Sequence, residues 1–181
     1  ALRPGVLRRL LLLGVIDALQ LYTFMLALRR LDVALAVFLS YMSPIYIALI
    51  APRLLKQRTE PVVVVALVLA VSGIAAMLAP GLFEPGLRAA PDGIALGLVS
   101  GLVLAVFFLL AKALSADVDG STLLISDAAV VAAVMLPLGL VQWAATGFAF
   151  SSTDLWAVLG LAVFSTAVSG TVFLHGMRYI P

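Results

Sequence analysis

The chain of 181 residues has no cysteine, one histidine and two tryptophans, and only 11% of it is Asp, Glu, Lys or Arg. Without cysteine there is no disulfide, no thiol nucleophile and no thiolate metal site. The single histidine, His175, gives a transition metal too few ligands, and no Ser–His–acid set of a hydrolase is apparent. The charged fraction is well under the roughly 25% of an ordinary soluble domain. Basic patches with interleaved aromatics are also missing, so nucleic acid is not an expected partner. The net charge is only +2. No cofactor is expected.

Apolar residues make up 64% of the chain, and the mean hydropathy is +1.22. A soluble domain of this size has no interior large enough to hide that surface. Intrinsic disorder is excluded by the same composition. Six apolar stretches can be read: about Leu10–Leu28, Val33–Ile50, Val62–Leu78 (bracketed by Pro61 and Pro80), Gly93–Ala111, Leu123–Ala145 and Leu155–Leu174. Each is near the ~20 residues that a helix needs to cross a bilayer. They are continuous rather than alternating, which points to helices and not to barrel strands. The connections are short and rich in turn residues, with no linker that would separate soluble domains.

Lys and Arg set the direction. With residue 1 in the cytoplasm, that side holds Arg3, Arg8, Arg9, Arg53, Lys56, Arg58, Lys112 and Arg178, and the outer side holds Arg29, Arg30 and Arg88. A cleaved secretory signal is disfavoured: Asp17 and Gln20 interrupt the first run, no small-x-small site follows, and five further spans come after it. Trp143 and Trp156 flank an outer connection, as in an interfacial aromatic belt.

Displaced by 149 positions, "FMLALRRLD" (Phe24–Asp32) lies over "FLHGMRYIP" (Phe173–Pro181), with Phe24 on Phe173 and Arg29 on Arg178. The first span then matches the sixth. Five spans is an odd number, so the two copies cross the membrane in opposite senses, the inverted-topology repeat of many secondary transporters. The expected fold is an all-α polytopic transmembrane helix bundle, six spans of an expected ten, built from inverted five-helix repeats. Residues 1–80 are the carboxy-terminal part of the first repeat, 81–92 an outer connecting loop, and 93–181 the amino-terminal part of the second. The chain is expected to be a fragment. A genuine six-span protein with a chance match is the alternative.

Several segments resemble the drug/metabolite transporter superfamily, specifically its EamA-type exporters: "FMLALRRLDVALAVFLSYMSPIYIAL" with Ser43-Pro44 in mid-span, "VVALVLAVSGIAAML", and "VFLHGMRYIP". The resemblance implies a ten-helix inner-membrane exporter of small metabolites or amino acids. One departure stands out. Many relatives carry a Glu in the loop after the Ser-Pro span, and here "LLKQRTE" has Gln57 near that position, so no role is carried over for it.

Polar residues inside apolar spans are the candidate site. Asp17 lies eight residues past Arg9, about 12 Å at 1.5 Å per residue. A carboxylate at the bilayer centre costs at least about 2.5 kcal/mol, so it must face a wet cavity, find a partner or hold a proton. Gln20 shares its helical face. The repeat carries Asp17 to Thr166 and Gln20 to Ser169, which predicts matched polar stripes around one cavity. The alternative is one structural hydrogen bond for Asp17 and backbone bonds for Thr166 and Ser169. Asp127, seven residues past Gly120, reaches a similar depth. If it neighbours Asp17, the two would share a proton. The alternative is a wet vestibule.

In the second span Pro44 has no N–H, so the Ser40 carbonyl loses its partner and a kink is expected at Ser43-Pro44. Ser40, Ser43 and Tyr46 fall within one arc, with Tyr41 opposite as a packing residue. A kinked packing helix is the alternative to a second polar stripe. Gly93, Gly97 and Gly101 repeat at every fourth residue and read as helix packing.

The expected function is secondary-active transport by alternating access, exporting small metabolites or amino acids across the lipid bilayer, with proton coupling as an option and with protons and a second copy of the chain as further candidate partners. A non-transporting scaffold or subunit is the alternative, and a membrane-embedded lipid enzyme a more distant one. No enzyme activity is expected.

Overall fold

The first helix of the computed structural model, α1 (Pro4–Leu28), starts on a proline. Its fixed φ suits a first helical turn, where the missing N–H is not needed. The model describes residues 4–54, 61–82, 90–147 and 151–160, with positions 162, 163, 168, 170 and 172. After α1 come α2 (Val33–Ser40), α3 (Ser43–Leu54), α4 (Pro61–Leu82), α5 (Pro91–Leu114), α6 (Gly120–Thr146) and α7 (Ser152–Gly160). No strand element occurs among the described residues. The chain is an all-α polytopic membrane protein. Among the described residues, Gly5–Leu28, Val33–Ile50, Pro91–Leu114 and Gly120–Thr146 are long and apolar enough to cross a membrane.

The helix ends follow from local chemistry. Asp119 caps α6 by accepting from Thr122 N at 3.1 Å and from the Thr122 hydroxyl at 2.6 Å. Gly147 ends the same helix in the left-handed region, φ 63°, its N–H on the Trp143 carbonyl. Glycine takes that conformation without a Cβ clash. At α7, Asp154 accepts from Ser151 N and from the Ser151 hydroxyl, while Asp154 N donates back to Ser151 Oγ. This reciprocal capping box holds the Asp154 carboxyl below its ordinary pKa, first through the Ser151 backbone bond and then through its hydroxyl.

Two of the expected spans differ. Val33–Ile50 is two helices, α2 and α3, separated at Tyr41–Met42. The expected kink is a full break, because Pro44 cannot donate to Ser40 and the chain restarts with Ile45 N and Tyr46 N both on the Met42 carbonyl. The third span runs past Pro80 to Leu82, since a proline so near a helix end disrupts little of the ladder. Tyr41 is 51% exposed and so packs on little within the chain. The sixth span is described through α7 and the scattered positions after it.

The chain forms two compact units, residues 1–18 with 110–181, and residues 19–109. In the first, Leu10, Leu13, Ala18, Ala111, Leu114 and Leu123 are almost fully buried. An ion pair of 3.4 Å joins Arg9 to Asp117. In the second, Ala27, Leu31, Ala36 and Leu39 form a core with Phe24, Leu28, Phe38 and Ile94 around it, α4 packs beside α2 and α3, and Arg30 pairs with Asp92 at 3.2 Å. All four charged partners are about half exposed or more, so each pair contributes about 1 kcal/mol or less. The outward faces are apolar: Ile125, Leu136 and Val141 of α6 are exposed by 63–71%. Such a surface suits lipid and not water.

Candidate functional site

The first unit brings the carboxyl groups of Asp17 of α1 and Asp127 of α6 within interaction range of each other. Helical rise explains the level at which they meet. Arg9 and Asp117 are paired at one end. Asp17 is eight residues beyond Arg9 in α1 and Asp127 seven beyond Gly120 at the start of α6, about 12 and 10 Å of rise. A carboxylate can only accept, so a hydrogen bond between two carboxyls requires one shared proton. Oδ1 of Asp127 is buried and receives no N–H or hydroxyl from the described residues. A proton held between the two acids is what would satisfy it.

Close packing makes this contact feasible. Gly14, one turn before Asp17, lies against Val130, one turn after Asp127: a Cβ on Gly14 would stand 2.5 Å from Val130 Cβ and 2.8 Å from its Cγ1. Glycine here lets the two helices approach far enough for short aspartate side chains to touch. Gly14→Ala is therefore expected to destabilise by about 1–3 kcal/mol, as overpacking does, and Val130→Ala should restore most of it. Thermal unfolding of the two single variants and the double variant checks this coupling; additive losses would refute it.

The second unit holds a separate polar cluster. Gln20 Nε2 of α1 donates to Ser100 Oγ of α5 at 3.2 Å, and Ser100 Oγ lies 3.2 Å from Ser40 Oγ of α2. Ser100 is fully buried and Ser40 nearly so. The buried Ser100 proton needs an acceptor. Either hydroxyl of the Ser40–Ser100 pair can donate to the other, since a serine oxygen that accepts from Gln20 keeps a second lone pair. Gln20 Oε1 is left as an acceptor. Thr23, one turn on, returns its hydroxyl to the Leu19 and Gln20 carbonyls of its own helix.

The break after Ser40 sits against α5. A Cβ on Gly101 would stand 2.7 Å from the Leu39 carbonyl oxygen, 3.0 Å from that of Ser40 and 3.3 Å from Tyr46 Cε2, and one on Gly97 would stand 2.9 Å from Leu39 Cβ. The glycine seam thus packs on the last turn of α2 and on the opened backbone. Ser43 is buried and Tyr46 half-buried. Among the expected residues, Asp17 meets Asp127, Gln20 and Ser40 meet through Ser100, and Tyr46 meets Gly101. Thr166 and Ser169, like His175, lie outside the described residues. Ser100 was not singled out by sequence. Its signal is its place on the glycine seam, three residues after Gly97 and directly before Gly101. No group of three or more His, Cys, Asp or Glu suited to a metal occurs among the described residues.

Residues 1–79 match the model of the EamA-like transporter family. Over 173 residues, 96% of its length, the chain is 31% identical to an uncharacterized transporter of Archaeoglobus fulgidus, of which it spans 59%. No solved structure matches it.

Proposed function

From a membrane protein of the EamA type, we propose a secondary transporter that moves small polar metabolites or amino acids by alternating access, exchanging protons at the Asp17–Asp127 pair. The reading is carried by two acids on apolar, membrane-length helices in contact with each other. Burying carboxyls costs several kcal/mol unless they are neutralised or paired. A shared proton neutralises half of the pair, and its release and recapture give a coupling step. Gln20, Ser40 and Tyr46 of the second unit are proposed as further pathway residues. Thr166 and Ser169 are proposed as the mirror-related lining of the second repeat (93–181, joined to 1–80 by the outer loop 81–92), on the 149-position correspondence of the first span with the sixth.

The chain is proposed to lie in the cell (inner) membrane with residue 1 towards the cytoplasm, following the bias of Lys and Arg. Flux is proposed to run outward, as the exporter resemblance implies. The full-length protein in proteoliposomes, screened against small metabolites and amino acids with and without an imposed pH gradient, tests the proposal. The expected result is accumulation of a polar solute that depends on the gradient. Failure of every solute to move, with the protein correctly inserted, would refute it.

A further inference from the structure

The second span lacks part of its backbone ladder in the middle. Four bonds tie the break residues to the helices on either side: Tyr41 N on Val37 O at 2.9 Å, Met42 N on Leu39 O at 3.3 Å, and Ile45 N and Tyr46 N on Met42 O at 2.9 and 3.4 Å. The bond that would join Pro44 to the Ser40 carbonyl cannot form. The two sides of the break are held differently. The last turn of α2 is gripped by α5, with Gly97 on Leu39, Gly101 on the Leu39 and Ser40 carbonyls, and Ser100 bonded to Ser40. On the α3 side, Tyr46 reaches α5 with a ring carbon. A broken membrane helix anchored firmly on one side of the break is built as a hinge, and freed backbone at this depth is tolerated only against protein or a water-filled cavity.

We infer that Tyr41–Met42 is the hinge of the second span, and that the Ser100 hydroxyl latches it shut through its bond to Ser40. Gln20 keeps the latch in position by donating to the same Ser100 oxygen. Opening moves α3 away from α5 and withdraws Tyr46 from Gly101. Ser100 is a positioning residue and need not touch a solute. That the hinge gates transport rests on the proposed function; the hinge itself is tested without a substrate.

The chain has no cysteine, so Ser43→Cys, a near-isosteric change at a buried site beside the break, can report opening. Other cysteines in the full-length protein are replaced, and N-ethylmaleimide is the probe. Ser100→Ala should raise the labelling rate at this position about fivefold, the population shift expected for one lost hydrogen bond. A cysteine at Ala116, in the turn before α6, should label at an unchanged rate. Ser40→Ala removes the same bond from the other side, so it should give the same increase, and the double variant should exceed neither single one. An unchanged rate in Ser40→Ala, or in a folded Ser100→Ala, overturns the latch. Proton flux through reconstituted protein, read with a pH-sensitive dye, tests the gate: faster labelling with unaltered flux keeps the hinge and overturns its gating role.

Discussion

On the proposed coupling role, Asp17→Asn is expected to abolish pH-driven transport in reconstituted full-length protein, down to the level of empty vesicles, while insertion and thermal stability stay near those of the parent. Asparagine keeps the shape of the side chain and its capacity to hydrogen-bond to Asp127, so packing around Gly14 and Val130 is preserved. It cannot take up or release a proton in the physiological range. It also removes a carboxyl from an apolar span, where the charged form costs at least about 2.5 kcal/mol, so stability should not fall. Asp127→Asn should have the same effect on transport. If the two acids act as one proton-holding unit, the double variant is no worse than either single one. Exchange driven by a solute gradient alone should survive better than accumulation driven by pH. Undiminished pH-driven transport in Asp17→Asn would remove the coupling role.

The second large effect is on stability. Gly101→Ala is expected to cost about 2–3 kcal/mol, near the top of the usual range for overpacking. Its Cβ would stand 2.7 and 3.0 Å from two backbone carbonyl oxygens. A side chain in the way can change rotamer, but the backbone of α2 cannot move without disturbing the core around Leu39. The same methyl at Gly139 in α6 meets nothing within 4 Å, so Gly139→Ala should be neutral or should stabilise by about 0.5–1 kcal/mol, the usual gain for removing a mid-helix glycine. Thermal unfolding in detergent compares the two. If Gly101→Ala were as stable as Gly139→Ala, the close approach of α5 to the break would be wrong. Gly101→Val should fail to fold or insert, because its branched Cβ adds two methyls against the same carbonyls.

The spans were legible because apolar runs bounded by Pro, Gly and short charged loops determine helix position almost by themselves in a membrane. The caps at Asp119 and Gly147 sit where the turn residues in the sequence suggested an end. Pro44 signalled a disturbance, but its size was not legible. Whether a proline kinks a helix or divides it depends on what packs against the opened turn, and here that is Gly101 on another helix. Asp17 and Asp127 stood out singly because acids are costly in apolar runs. Their contact depended on Gly14 meeting Val130, a tertiary fact with no local trace. Ser100 passed unnoticed because a serine among alternating glycines reads as one more small packing residue. Only the approach of Gln20 and Ser40 turns it into the centre of a hydrogen-bond chain.

Helix α6 has 27 residues, an apolar rod of about 40 Å, while the oily slab of a typical membrane is about 30 Å thick. A rod that overshoots its slab must lean or thicken the lipid around it. Leaning alters the height of Asp127 against Asp17. If the acid pair couples protons, acyl-chain length is then expected to act on it, and reconstitution in bilayers of different thickness would read that out.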